Sequence, residues 1–156
     1  MSSPCIPSME DDAHVLATAL ELERKGFTFY SEAAKKTENE TGKKMFSQLA
    51  KEEEEHIGKI KKMFSNLYPQ NNHKEIPLFN AEISEYSGEI DAIRIGIDME
   101  KKSIEFYKNR AKGNLKSLFN ELIEFEKEHL ELLQAELDYV QKTGFWFDYF
   151  ESSLED

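Results

Sequence analysis

The strongest constraint in this sequence is a set of polar side chains that stand in line with apolar stripes. Leu49, Ile60, Met63 and Leu67 recur at the three- and four-residue spacing of one helix face, and Glu53 and His56 fall on that same face. Leu115, Phe119, Leu122, Leu133 and Val140 form a second stripe, interrupted by Glu126 and His129. Leu16, Ala19, Phe27 and Ala34 form a third, with Glu23 and Tyr30 in line. Ile93, Ile97, Ile104 and Ala111 form a fourth, with Glu100 and Tyr107 in line. Any fold that buries these stripes must also bury four glutamates and two histidines near mid-length.

The segments carrying the stripes read as helices. They are rich in Glu, Lys, Leu, Ala, Phe and Ile, and no stretch alternates with period two, so no sheet is expected. Four helices are predicted, over about 11–36, 40–67, 87–111 and 115–142. Asp11 or Asp12 can cap the first, Gly113-Asn114 marks the turn between the last two, and Gly144 ends the fourth. Each is about 25 residues, or roughly 38 Å at 1.5 Å per residue. Two of the connections are short and imply antiparallel neighbours. The third, about 66–86, holds Pro69, Asn71-Asn72 and Pro77 and is long enough to run the length of a bundle. Two hairpins joined by one long crossover is the connectivity of an all-α, ferritin-like antiparallel four-helix bundle. Residues 1–10 read as a flexible tail, 11–142 as the bundle, and 143–156 as a C-terminal extension.

Four buried carboxylates at one depth repel each other, and each unpaired buried charge costs several kcal/mol. Two divalent cations cancel four carboxylates, and two neutral imidazoles complete the coordination. Glu-x-x-His places an oxygen and a nitrogen ligand on one helix face. A carboxylate-rich site with one imidazole per metal suits iron or manganese better than zinc or calcium. A single Glu-x-x-His carries little information in a chain with 24 Glu. The information lies in the order Glu23, Glu53-x-x-His56, Glu100, Glu126-x-x-His129, with one carboxylate per helix.

The two halves also repeat. Leu22-Glu23 through Phe29-Tyr30 aligns with Met99-Glu100 through Phe106-Tyr107. Phe46, Leu49, Glu53 and His56 align with Phe119, Leu122, Glu126 and His129, with the slip in register falling in the turns. This pattern is that of a duplicated helical hairpin. With Leu-Glu-x-x-Gly-x-x-Phe-Tyr at 22–30, Glu-Glu-Glu-Glu-His at 52–56, Met-Glu-x-x-Ser-x-x-Phe-Tyr at 99–107 and Glu-Lys-Glu-His at 126–129, the sequence resembles the di-iron domain of the rubrerythrin family. The resemblance implies two iron ions, or manganese or a mixed pair. Glu53 and Glu126 would bridge them, with Glu23 and His56 terminal on one and Glu100 and His129 on the other. It makes these six the catalytic residues, and makes Tyr30 and Tyr107 the residues whose hydroxyls hold the carboxylates. Full rubrerythrins carry a further carboxylate one turn from the third-helix ligand. Ile97 and Ser103 stand there in this chain, which argues against redox-linked ligand exchange of that type.

The net charge of −11 argues against a nucleic-acid partner. No run of about 18 apolar residues occurs, so no membrane span is expected, and residues 1–14 lack the pattern of a signal peptide. A cytoplasmic location is the expectation. Cys5 is the one cysteine, so neither a disulfide nor a rubredoxin-type iron site can form within the chain. Glu52, Glu54, Glu55 and Glu128 read as solvated surface, as do His14 and His73. The run Phe145-Trp146-Phe147-Asp148-Tyr149-Phe150 will not sit free in water and is expected to pack on the bundle or on a second copy in a homodimer. The resemblance implies reduction of hydrogen peroxide, or of dioxygen, with electrons from a separate donor protein. A ferroxidase or iron-handling role, and a metal-binding bundle without turnover, are the alternatives.

Overall fold

The structure, a computed structural model, describes residues 11–71, 86 and 88–148. Among them are four long helices and no strand: α1 (Asp12–Lys36), α2 (Glu40–Leu67), α3 (Glu89–Arg110) and α4 (Lys116–Thr143). Single-turn 3-10 segments cover Pro69–Asn71 and Gly113–Leu115. The boundaries follow local chemistry. Asp11 caps α1 by accepting from the His14 N–H at 2.8 Å, and the Asn39 side-chain Oδ1 caps α2 by accepting from the Thr41 and Gly42 N–H groups. Gly144, at φ 77°, supplies the left-handed residue that ends α4. The third helix begins two residues later than the sequence predicts. Gly88 takes φ 92°, which a helix cannot include, and it stands outside as the N-cap.

The helices form two antiparallel hairpins, α1/α2 and α3/α4. Tyr30 near the end of α1 meets Glu100 of α3, while Tyr107 near the end of α3 meets Glu23 of α1. Those two helices therefore run antiparallel as well, and α2 is parallel to α3. The end of α2 and the start of α3 lie at opposite ends of the bundle. This is the ferritin-like arrangement the loop lengths predict. The crossover expected between α2 and α3, with His73 and Pro77, lies outside the described residues, and so does Cys5.

The apolar interior is divided in two. One cluster, at the α1 N-terminal end, includes Leu16, Leu20, Ile60, Tyr107, Phe119 and Leu122. The other, at the opposite end, includes Phe29, Tyr30, Phe46, Leu49, Ile93 and Leu133. Between them lies a layer of buried charge. The expectation that the aromatic C-terminal run packs on the bundle holds for its described part. The Trp146 ring meets Phe46 edge-on at 5.9 Å, and its Nε1–H donates to Glu89 at 2.7 Å. The Phe147 N–H donates to Glu136 at 2.7 Å, whereas Phe145 is 71% exposed. Tyr149 and Phe150 lie outside the described residues.

Candidate metal centre

The layer between the two cores is made of the six residues that break the apolar stripes. Glu23, Glu53, His56, Glu100, Glu126 and His129 are each at most 3% exposed. They form two groups, Glu23, Glu53, His56 and Glu126, and Glu53, Glu100, Glu126 and His129, with ligand atoms in each group within 4.8 Å of one another. Glu53 and Glu126 belong to both. Glu126 turns one oxygen to His56 Nδ1 at 3.2 Å and the other to His129 Nδ1 at 3.3 Å. Glu53 does likewise, at 3.7 Å and 3.3 Å. Glu23 faces His56 at 3.4 Å, and Glu100 faces His129 at 3.5 Å. The imidazoles lie nearly parallel, with centroids 5.7 Å apart. Two carboxylates are thus placed to bridge, and two to serve one side each.

The rubrerythrin family profile matches residues 14–137. The chain belongs to the rubrerythrin family. A hypothetical protein from Pyrococcus furiosus has a similar structure, with a TM-score of 0.71 and 26% identity over 85% of this chain and 92% of that one. No curated protein matches the sequence.

The donor set of this rubrerythrin-family chain fits a pair of cations. Glu100 Oε2, Glu126 Oε2 and His129 Nδ1 are buried and make no hydrogen bond, so three atoms of metal-ligating type in the cluster are left without a partner. The protein atoms alone balance charge with protons. Burial pushes the Glu53 and Glu126 carboxyls well up, and the Glu23 and Glu100 charges push them further. Burial also acts to raise Glu23, but hydrogen bonds with Glu53 and His56 outweigh it and hold Glu23 at about 2. Glu100 is lowered in the same way, against its burial, by Glu126, His129 and Tyr30. Burial acts to lower His56, yet its bonds to Glu126 and Glu23 carry it to about 9, and His129 is raised as well. The metal-free cluster therefore favours two carboxylates, two neutral carboxyls and two imidazoliums, which sum to zero.

Two tyrosines secure the terminal carboxylates, and they do so crosswise. Tyr30, rooted in one apolar cluster, donates to Glu100 Oε1 at 2.7 Å. Tyr107, rooted in the other, donates to Glu23 Oε1 at 2.6 Å. Each hydroxyl holds a carboxylate of the opposite hairpin. Both phenols are raised well above the usual tyrosine value, first by burial and then by the adjacent carboxylates, so they remain donors. Gly26 lets Glu53 approach α1: a Cβ there would stand 3.3 Å from Glu53 Cδ. Ser103 is buried beside the cluster and Ile97 is partly buried, so no carboxylate occupies that turn of α3.

Glu54, Glu55 and Glu128 are exposed, as is His14, but Glu52 is not plain solvated surface. Its Oε2 accepts from His129 Nε2 at 3.2 Å, with the Glu52 side chain 28% exposed. On a helix turning about 100° per residue, Glu52 lies roughly 40° from His56, at the edge of the inward stripe. That proximity was the available signal.

Proposed function

We propose that the chain is an oxidoreductase that reduces hydrogen peroxide, or dioxygen, at a pair of iron ions held by Glu23, Glu53, His56, Glu100, Glu126 and His129. The observation that carries this reading is the pair of overlapping ligand groups that share Glu53 and Glu126 inside a buried layer. When bound, two ferrous ions supply two electrons and Lewis acidity for splitting an O–O bond. Manganese, or one ion of each kind, satisfies the same donors.

The chain's own contribution is positional. Glu53 and Glu126, which belong to both ligand groups, would hold both ions. The Tyr30 and Tyr107 hydroxyls orient Glu100 and Glu23 and keep those carboxylates from rotating. The apolar clusters above and below, closed by Phe46, Leu49, Phe119 and Leu122, exclude water from the layer. The electrons come from a separate donor protein, and no nucleic acid or membrane takes part. Among the described residues no helix is long and apolar enough to cross a membrane. The exposed Phe145 beside the docked Trp146 supports a homodimer.

Stopped-flow mixing of the anaerobic, iron-loaded, reduced protein with hydrogen peroxide tests the reading. Peroxide and ferrous iron should disappear together within the mixing time course, and the Glu126→Ala variant should lose that reaction. Slow oxidation at the rate of free ferrous ion would sink the proposal.

A further inference from the structure

The internal repeat that builds the cluster fails at one pair of positions beside it. Glu53 pairs with Glu126 and His56 with His129, so Glu52 pairs with Phe125. The structure shows what the mismatch does. On one side, His129 Nε2–H donates to the Glu52 carboxylate at 3.2 Å. A carboxylate can only accept, so Nε2 carries a hydrogen, and in the neutral imidazole Nδ1 is the nitrogen left to offer a lone pair to the cluster. On the other side, the His56 ring lies against the Phe125 ring, with centroids 5.2 Å apart. Among the described residues, the close approaches of His56 to carboxylates are made by Nδ1. The Phe125 ring also carries the Lys59 ammonium over it, 4.7 Å from the centroid, and that ammonium is ion-paired with Glu121. One imidazole is backed by a negative charge, the other by an aromatic ring that also carries a cation.

We propose that Glu52 is a positioning residue that makes the two metal positions unequal: the position built on Glu100 and His129 binds its ion more tightly than the one built on Glu23 and His56. The inference rests on the reading of the cluster as a two-metal site. A carboxylate on the outer nitrogen of a ligating histidine fixes the ring and raises its basicity, and removing such a partner typically costs 10- to 100-fold in metal affinity. Phe125 fixes the His56 ring by packing alone and adds no electron density to its nitrogen. A first ion therefore goes to the His129 position, and a mixed pair assembles in a fixed order.

Anaerobic titration of the metal-free full chain with cobalt(II), followed by its visible absorbance against a competing chelator, decides this. The unaltered protein should bind in two steps separated by about 10- to 100-fold. Glu52→Gln should weaken the tighter step by a similar factor and leave the weaker within threefold. A merely structural loss would lower both steps together. Phe125→Glu, which places a carboxylate at the matching position, should tighten the weaker step and bring the two together. Two equal steps in the unaltered protein, or equal weakening of both by Glu52→Gln, overturns the inference while leaving the two-metal reading intact. Failure to bind two cobalt ions at all overturns both. The partly exposed place of Glu52 lets Gln enter without burying a new polar group, and circular dichroism of each variant confirms the helices.

Discussion

Loading the metal-free cluster with two divalent ions should expel about four protons, two per ion, because the buried layer is neutral both before and after. Before loading, Glu53 and Glu126 favour their neutral carboxyl forms and His56 and His129 their imidazolium forms, while Glu23 and Glu100 are carboxylates. After loading, four carboxylates face two divalent ions and both imidazoles are neutral. Net charge at this depth is too costly to leave uncompensated in either state. Each of Glu53, Glu126, His56 and His129 therefore gives up one proton. The apparent affinity should rise with pH, by roughly 100-fold per ion per pH unit where two protons leave with each ion. The dependence should shallow above about pH 9, where His56 loses its proton unaided. The assay is cobalt(II) addition to weakly buffered, anaerobic protein with an indicator dye near pH 6, repeated at higher pH. Release of about one proton per ion or fewer, which the two histidines alone would supply, or an affinity flat between about pH 6 and 8, would refute the charge argument.

Three further outcomes follow from the contacts. Tyr30→Phe should weaken the ion held by Glu100 and His129, and Tyr107→Phe the ion held by Glu23 and His56. Each hydroxyl bond to a carboxylate is worth about 1.5–3 kcal/mol, so cobalt titration should show one step falling about 10- to 100-fold; loss on the same-hairpin side would contradict the crossed pairing. Glu136, fully within α4 and pushed to about 7 chiefly by burial against an ordinary carboxyl value of 4.5, contributes stability that is complete below pH 4.5 and is lost as pH rises through about 7. Glu136→Gln keeps an acceptor for the Phe147 N–H and should flatten that loss, about 1–2 kcal/mol after solvent screening, in denaturant midpoints measured at pH 5 and pH 8. A Cβ at Gly42 would lie 2.7 Å from Trp146 Cε2, so Gly42→Ala should lift the one tryptophan off Phe46. Its fluorescence should shift to the red, with a loss of about 1–3 kcal/mol; an unchanged spectrum would show that the segment is not docked there.

Much of this arrangement is legible in the sequence because helices impose a period. Glu23, Glu53, Glu100 and Glu126 stand out only against apolar residues at the same spacing, and that contrast survives in the fold as the layer between two cores. Helix ends are legible where a cap is a side chain, as at Asp11, and less so at Gly88, whose positive φ depends on how the chain arrives there. The partners of Tyr30 and Tyr107 are not legible. Spacing puts each tyrosine in line with the glutamate of its own helix, whereas the antiparallel crossing of α1 and α3 gives it the glutamate of the other. Glu52 is hidden by its company, since three of the four consecutive glutamates at 52–55 have ordinary or inward roles that spacing assigns. Glu136 is also overlooked by the stripe argument. The repeat aligns it with Met63, a position for an apolar side chain, and it is 1% exposed because it anchors the returning C-terminal segment.

The cost of the polar layer bears on why it exists. Within each hairpin the helices pack along their length, but at mid-depth the hairpins meet through polar pairs: Tyr30 with Glu100, Tyr107 with Glu23, His56 with Glu126, and His129 with Glu53 and Glu52. Replacing a buried ionic cluster with packed apolar residues commonly leaves a protein as stable or more so, by about 1–4 kcal/mol. A bundle that served only as a scaffold would be better held by continuing the Leu, Ile and Phe of its two clusters through the middle. The layer instead interrupts them, leaves Glu100 Oε2, Glu126 Oε2 and His129 Nδ1 without a hydrogen-bond partner, and depends on buried protons for neutrality. Those are the properties of a site shaped for what it binds. On the proposed function, metal loading would do two things at once: supply the chemistry, and replace proton-mediated contacts between the hairpins with coordination bonds at the depth where the two apolar clusters are interrupted.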